Sequence, residues 1–207
     1  KCDFFKQCFK WLGNDLLPDG NHPASSKFNL INNWPYPATS ISLVSLIGLI
    51  TFYSRYIPHT DVKLHPLHHL AKLYHHKAIP DTAWTKPLCT MFNELKVTVT
   101  SDPCLACFDS TIPIFLKTDW SNVSMSFVLM QPADDNASHT ALAILKQDNS
   151  LNTFDKLMSS ARLKPVPFGS RHGSDHECHF HSFIGEAVTG HWAICQNCHY
   201  LWGAHFY

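Results

Sequence analysis

Apolar positions along the chain follow two periods. Leu43, Leu46, Ile47, Ile50 and Tyr53 recur at helical spacing and predict a helix that starts near Ser40. Pro35 and Pro37 would end an earlier one. Leu64, Leu67, Leu70 and Ala71 predict a further helix, and Leu88, Phe92, Leu95 and Val99 another, with Thr85 as its cap. The pattern then shortens. An apolar run from Ile112 to Leu116 leads to Asp119, and a second run, Met125 to Met130, follows at once. Short apolar runs bounded by turn formers read as strands buried in a sheet. Asp119 is then either a turn former or a carboxylate held rigidly where the strand leaves the core. Further on, Phe183, Ala187, Ile194 and Leu201 fall on one face at helical spacing. At the front, residues 1–20 alternate short apolar and polar runs and finish on Pro18-Asp19-Gly20, which predicts a β-hairpin of Cys2–Phe5 and Cys8–Leu12. Residues 132–162 open on Asp134-Asp135-Asn136 and show no sustained period, so an exposed insert is expected there. The element order is α+β.

Composition narrows the class. A chain of 207 residues suits one large or two small domains, and 45% hydrophobic with 15% charged residues describes a globular protein. The net charge of zero is unevenly spread: residues 1–100 carry ten Lys/Arg against six Asp/Glu, and residues 101–207 the reverse. A basic front half is compatible with phosphate contacts, and an acidic back half suits a cation site better than a DNA groove. The start, KCDFFKQCFK, lacks the apolar core of a secretory signal. The longest apolar run, Ile41 to Tyr53, is too short to cross a bilayer, so no membrane partner is expected. Eight cysteines in this setting imply reduced thiols and a cytoplasmic or nuclear location.

The segment Pro113 to Gln131, PIFLKTDWSNVSMSFVLMQ, resembles the first two strands of the ribonuclease H domain in gypsy-type LTR retrotransposon polyproteins, where P-F-x-L-x-T-D-A-S-x-x-G-x-G-A-V-L-x-Q is usual. The resemblance extends along the chain. KCDFFKQCFKWLG is similar to the end of the reverse transcriptase palm, with Trp11, Leu12 and Gly13 at the primer-grip positions. HPASSKFNLINNWPYP is similar to the start of the thumb, and LKPVPFGSR to a later RNase H strand. The resemblance implies a palm remnant over residues 1–20 and thumb and linker helices over 21–103. Over 104–207 it implies an incomplete RNase H-like mixed sheet with one packed helix, carrying the insert at about 132–162. Lys27, Arg55, Ser121 and Arg171 join Trp11, Leu12 and Gly13 as expected nucleic-acid contacts, with an RNA–DNA hybrid or template–primer and the rest of the polyprotein as partners. Ordinary surface charge is the competing reading of each basic residue.

RNase H chemistry hydrolyses a phosphodiester with two metal ions, for which magnesium or manganese needs hard oxygen ligands held by rigid elements. The family uses four acids. By position Asp119 matches the first and Glu186 the second, so the resemblance implies that both are catalytic magnesium ligands. The third and fourth would follow the stretch matching His205-Phe206-Tyr207 and are not present. Trp120 stands where the family has a small residue, Ser124 and Ser126 where it has Gly. Gly185 and Gly190 would weaken the helix bearing Glu186 by about 1 kcal/mol each. Metal is thus expected to be held weakly if at all, and cleavage to be feeble or absent. The rival reading is a non-catalytic nucleic-acid-binding or zinc-stabilised module, suggested by Cys104-x-x-Cys107 and Cys195-x-x-Cys198. Those pairs are far apart and lack a Gly-rich knuckle, so zinc is not the expectation. The cluster His65, His68, His69, His75 and His76 reads as a solvated helix face.

Overall fold

A computed structural model of the protein describes residues 6–101, 104–147, 156–157 and 160–207. It opens with a three-stranded antiparallel sheet, β1 (Phe9–Trp11), β2 (Asn14–Leu17) and β3 (Gly20–Pro23), in that order. This redraws the expected hairpin. Cys2–Phe5 lies outside the described residues, and the sheet continues through residues such as Asn14, Asp15 and Asn21, types depleted in strands. Turn geometry imposes what propensity does not. Trp11 pairs with Asn14 across a two-residue loop, and Leu17 with Gly20 across Pro18-Asp19. In the first loop Leu12 and Gly13 have φ of 47° and 82°, the paired positive values of a type I′ turn.

Four helices follow: α1 (Ser25–Asn32), α2 (Ser40–Phe52), α3 (Thr60–Leu73) and α4 (Lys86–Thr100). The Thr39 hydroxyl caps α2 by accepting from the Ser42 N–H at 3.2 Å. The residues picked out by helical period form the core: Leu43, Leu46, Ile50, Leu64, Leu67, Phe92, Leu95 and Val99 are all buried in one cluster. Burying each such side chain stabilises by about 1.5–3 kcal/mol. Lys96 Nζ donates to the carbonyls of Trp34 and Asn32, tying α4 to the end of α1.

The second sheet is antiparallel, β4 (Phe115–Trp120), β5 (Ser124–Pro132) and β6 (Leu163–His172) in order β4-β5-β6. A parallel bridge, Ile114 with Phe206, lies beside β4, with the Leu116 N–H donating to Tyr207 O and the Tyr207 N–H to Ile114 O, both at 2.9 Å. This isolated bridge adds one parallel contact to the antiparallel sheet. Period-two alternation sorts its two faces. One carries Leu116, Thr118, Trp120, Met125 and Phe127; it is covered by α6 (Ser182–Gln196), whose Trp192 ring lies 5.2 Å from Phe127. The short α7 (Cys198–Leu201) adds Leu201 to the cluster of Ile114, Leu129 and Val166. The opposite face carries Phe115, Lys117, Asp119, Ser126, Val128 and Phe168. The helical unit docks on that face: Phe168 packs on its core, the Asp61 N–H donates to Ser170 Oγ at 3.0 Å, and the His65 ring stacks on His172 at 4.5 Å.

Two expectations change. The stretch read as an exposed insert contains α5 (Asp135–Gln147), and Ala137 and Ala141 are buried. Ala141, Leu157 and Ala161 share a cluster with Phe115 and Met130, so the segment builds core. The buried positions of α5 are alanines, which a reading based on large residues passes over, while Ile144 and Leu145 pack half-buried beside them. On α6 the buried face is Gly185, Thr189 and Ala193, while Phe183 is 78% exposed and Ile194 is exposed. A Cβ at Gly185 would run into the Trp120 ring. The small residues lie inward because the sheet supplies the bulk. No helix among the described residues is long and apolar enough to cross a membrane.

Candidate functional site

The tip of the first hairpin presents Trp11, Leu12 and Gly13 together. Trp11 is 61% exposed and Leu12 74%. A non-glycine residue at positive φ is strained, and an apolar one held so in solvent is unusual. The tip is pinned from behind. Gly13 O accepts from the Tyr53 hydroxyl at 2.9 Å and from the Ala24 N–H at 3.0 Å. The Tyr56 hydroxyl lies 2.9 Å from Asn14 Oδ1 and 2.8 Å from Asn21 Oδ1 and donates to one of them. Burial raises both phenols, Tyr56 to about 12, so both hydroxyls keep their protons across the physiological range. These tyrosines are the residues that sequence reasoning missed. Helical period marks Tyr53 only as core, although a buried tyrosine needs a partner for its hydroxyl.

The expected basic contacts lie around the helices. Lys27 is exposed on α1. Arg55 is half-buried in the single turn Ser54–Tyr56, its guanidinium 6.0 Å from the Tyr56 ring centre. Its Nε is buried without a hydrogen-bond partner among the described residues. Arg171 is engaged within the fold: it makes a bidentate pair with Glu177 at 2.9 and 2.6 Å and lies over the Trp192 ring. That pair, with the Ser174 N–H, lowers the Glu177 carboxyl to about 2. Ser121 closes the β4–β5 turn, its Oγ accepting from the Ser124 N–H at 3.0 Å.

Asp119 is exposed near the end of β4, opposite Ser126. It lines a cavity of about 380 Å³ with Lys117, Ser126, Phe168, Pro58 and His59, between the second sheet and the start of α3. His59 itself is left-handed, at φ 53°. Glu186 is exposed on α6 and does not line this cavity. Its neighbour Gly185 faces Trp120, which alternation places on the other side of the sheet from Asp119. The cavity therefore offers one carboxylate beside the Lys117 ammonium, which does not fit a two-metal clamp needing several converging carboxylates. Cys107, Cys195 and Cys198 are exposed, and the two CxxC pairs do not converge on one another among the described residues. Nor do the histidines of α3 gather into a ligand group.

Residues 84–149 match the RNase H-like domain found in reverse transcriptase. The matched span covers α4, β4, β5 and α5, and with them Asp119. Aligned over 97% of its length, the chain superimposes with a TM-score of 0.71 on the foamy viral protease–reverse transcriptase dRH in complex with double-stranded DNA, at 18% identity, and on the foamy viral protease–reverse transcriptase in complex with an RNA/DNA hybrid, at 19%. The fold is shared with a reverse transcriptase. The Tf2-3 and Tf2-4 transposon polyproteins of Schizosaccharomyces pombe are each 29% identical to it over 136 residues, 66% of the chain. The chain spans about a tenth of the length of those polyproteins, and 30% and 23% of the two viral chains. The family match starts at Trp84, inside the stretch expected as thumb and linker, and takes in the helix that replaces the expected insert.

Proposed function

We propose that the chain is a template–primer-binding segment of a retroelement reverse transcriptase, joining a primer-grip hairpin and thumb to the beginning of an RNase H-like domain. The observation that carries this reading is the strained, exposed Trp11-Leu12-Gly13 tip pinned by Tyr53 of the adjoining helix. Strain kept at a solvent-facing apolar tip points to a contact made with something else. An exposed indole and an aliphatic side chain suit the sugar and base edges of a primer strand, and Lys27 and Arg55 suit its phosphates. The foamy viral relatives hold double-stranded DNA and an RNA/DNA hybrid, which supports a duplex as the partner.

Asp119 is the carboxylate proposed to meet magnesium, with Glu186 the second acid by resemblance. Magnesium would supply charge neutralisation at a phosphate. Across the sheet from one another, these two side chains do not assemble a clamp on the attacking and leaving oxygens, so binding without efficient cleavage is the proposed behaviour. The test is an end-labelled RNA–DNA hybrid mixed with the chain in magnesium or manganese, with Asp119→Asn alongside. A shifted complex with intact hybrid in both proteins is expected. Metal-dependent cleavage lost in Asp119→Asn would show a working nuclease instead, and absence of any complex would remove the reading.

A further inference from the structure

Three side chains outside the proposed nucleic-acid surface converge where the first sheet meets the segment leading to the second. Asp19 sits in the two-residue turn between β2 and β3, His22 lies two residues into β3, and Cys104 comes from 82 residues further along the chain. One ligand atom of each, Oδ of Asp19, a ring nitrogen of His22 and Sγ of Cys104, lies within 4.8 Å of the other two. His22 Nε2 and Asp19 Oδ2 are 3.3 Å apart. Among the described residues no other group of three such side chains meets this condition.

The backbone holds the three in place. Asn21 and Leu105 form an antiparallel bridge, with N–H to O distances of 2.8 Å and 3.0 Å. The Asn21 side-chain oxygen lies 2.8 Å from the Tyr56 hydroxyl. Gly20 lies so close to Cys104 and Leu105 that a Cβ there would collide with Cys104 Sγ and Leu105 O. His22 is only 9% exposed, Cys104 is half-buried, and Asp19 reaches solvent. Each ligand thus stands beside hydrogen-bonded backbone: Asp19 in the turn that joins paired strands, His22 opposite Asp15, and Cys104 next to Leu105 of the bridge.

We propose that Asp19, His22 and Cys104 bind a divalent zinc-type ion that staples the first sheet to the entry of the second. The donor set is one thiolate, one imidazole and one carboxylate, a combination that suits zinc and not magnesium. In a tetrahedral zinc site, with metal–donor distances of about 2.0–2.3 Å, donors stand about 3.3–3.6 Å from one another. The Asp19–His22 spacing already meets this, and the thiol, within 4.8 Å of the other two, needs to close by no more than roughly 1.2 Å. Water takes the fourth position. Asp19 also lines a neighbouring cavity of about 220 Å³ with Gly20 and Cys107, so its side of the site is open to solvent. The site thus uses Cys104 of the first CxxC pair with two residues that sequence spacing gave no reason to join to it.

The experiment is titration of the 207-residue chain, reduced and metal-free, with cobalt(II) and then zinc. One equivalent of cobalt should give a thiolate-to-cobalt charge-transfer band in the near ultraviolet, which zinc displaces. Cys104→Ser should abolish the band, and Asp19→Asn, at an exposed position, should weaken cobalt binding about tenfold. Cys195→Ser and Cys107→Ser should leave the band in place. Zinc should also raise the melting temperature by about 5 °C, reversed by chelation. An unaltered band in Cys104→Ser, loss of the band in Cys195→Ser, or no band in a folded wild-type chain would overturn the proposal.

Discussion

The helical unit and the second sheet are stabilised in different ways. In α1–α4, large aliphatic and aromatic side chains at helical spacing fill one continuous core. In the second sheet, bulk on one element meets absence on another: Trp120 occupies the space left by Gly185 of α6, and Phe127 the space left by Gly169 across the strand pair. The first kind of core is written in the residues of each helix taken alone. The second is written only in pairs, and neither partner reveals it by itself. Trp120 read alone is an obstruction beside Asp119, and Gly185 read alone is a flaw in a helix. Together they are a fitted contact.

Substitutions can break this contrast apart. The largest effect is expected from Leu46→Ala, which empties a fully buried position in the helical core and should cost about 3 kcal/mol in denaturant unfolding. Gly185→Ala follows. Helix propensity alone favours alanine by about 1 kcal/mol, but the Cβ runs into the Trp120 ring, and a net loss of about 2 kcal/mol is expected. Trp120→Ala in the same chain should recover part of that loss, a coupling that a merely unfavourable glycine position would not show. Gly190→Ala, five residues on in the same helix, has open space around the new methyl group and should stabilise by about 0.5–1 kcal/mol.

A pH experiment sharpens the picture at the rim of the sheet. The Glu177 carboxyl is held at about 2, below its ordinary 4.5, chiefly by the Arg171 guanidinium. Its depressed value means that the stabilisation is full above about pH 4.5 and is lost as pH falls toward 2. Glu177→Gln should cost about 1 kcal/mol at pH 7 and should narrow its gap to wild type as the pH is lowered through that window. Equal destabilisation at pH 7 and pH 2 would show that the pair contributes nothing through its charge.

How much of this was legible in the sequence follows the same division. The helices carrying Leu43, Leu67 and Phe92 could be read directly, because each buried side chain is large and periodic. So could β4 and β5, whose apolar runs are bounded by turn formers, whereas β6, interrupted by Pro165, Pro167 and Gly169, is marked by resemblance alone. β2 and β3 could not, since Asn14, Asp15 and Asn21 are poor strand formers held by tight turns and by Tyr56. Helix α5 was lost because Ala137 and Ala141 give a weak apolar signal. At the candidate site, resemblance picked out the Trp11-Leu12-Gly13 tip and Asp119. It carried no information on which face of the sheet Asp119 would occupy, nor that a tyrosine 40 residues away would pin Gly13. Register and long-range hydrogen bonds decide those points, and both are properties of the assembled chain.

The most direct measurement is fluorescence anisotropy of a labelled RNA–DNA hybrid titrated with the wild-type chain and with Trp11→Ala, at two salt concentrations. Wild-type binding that weakens with salt, together with at least a tenfold loss in Trp11→Ala at unchanged thermal stability, is the predicted result. Equal affinity of the two proteins would contradict the account, because the exposed hairpin tip would then play no part in holding the hybrid.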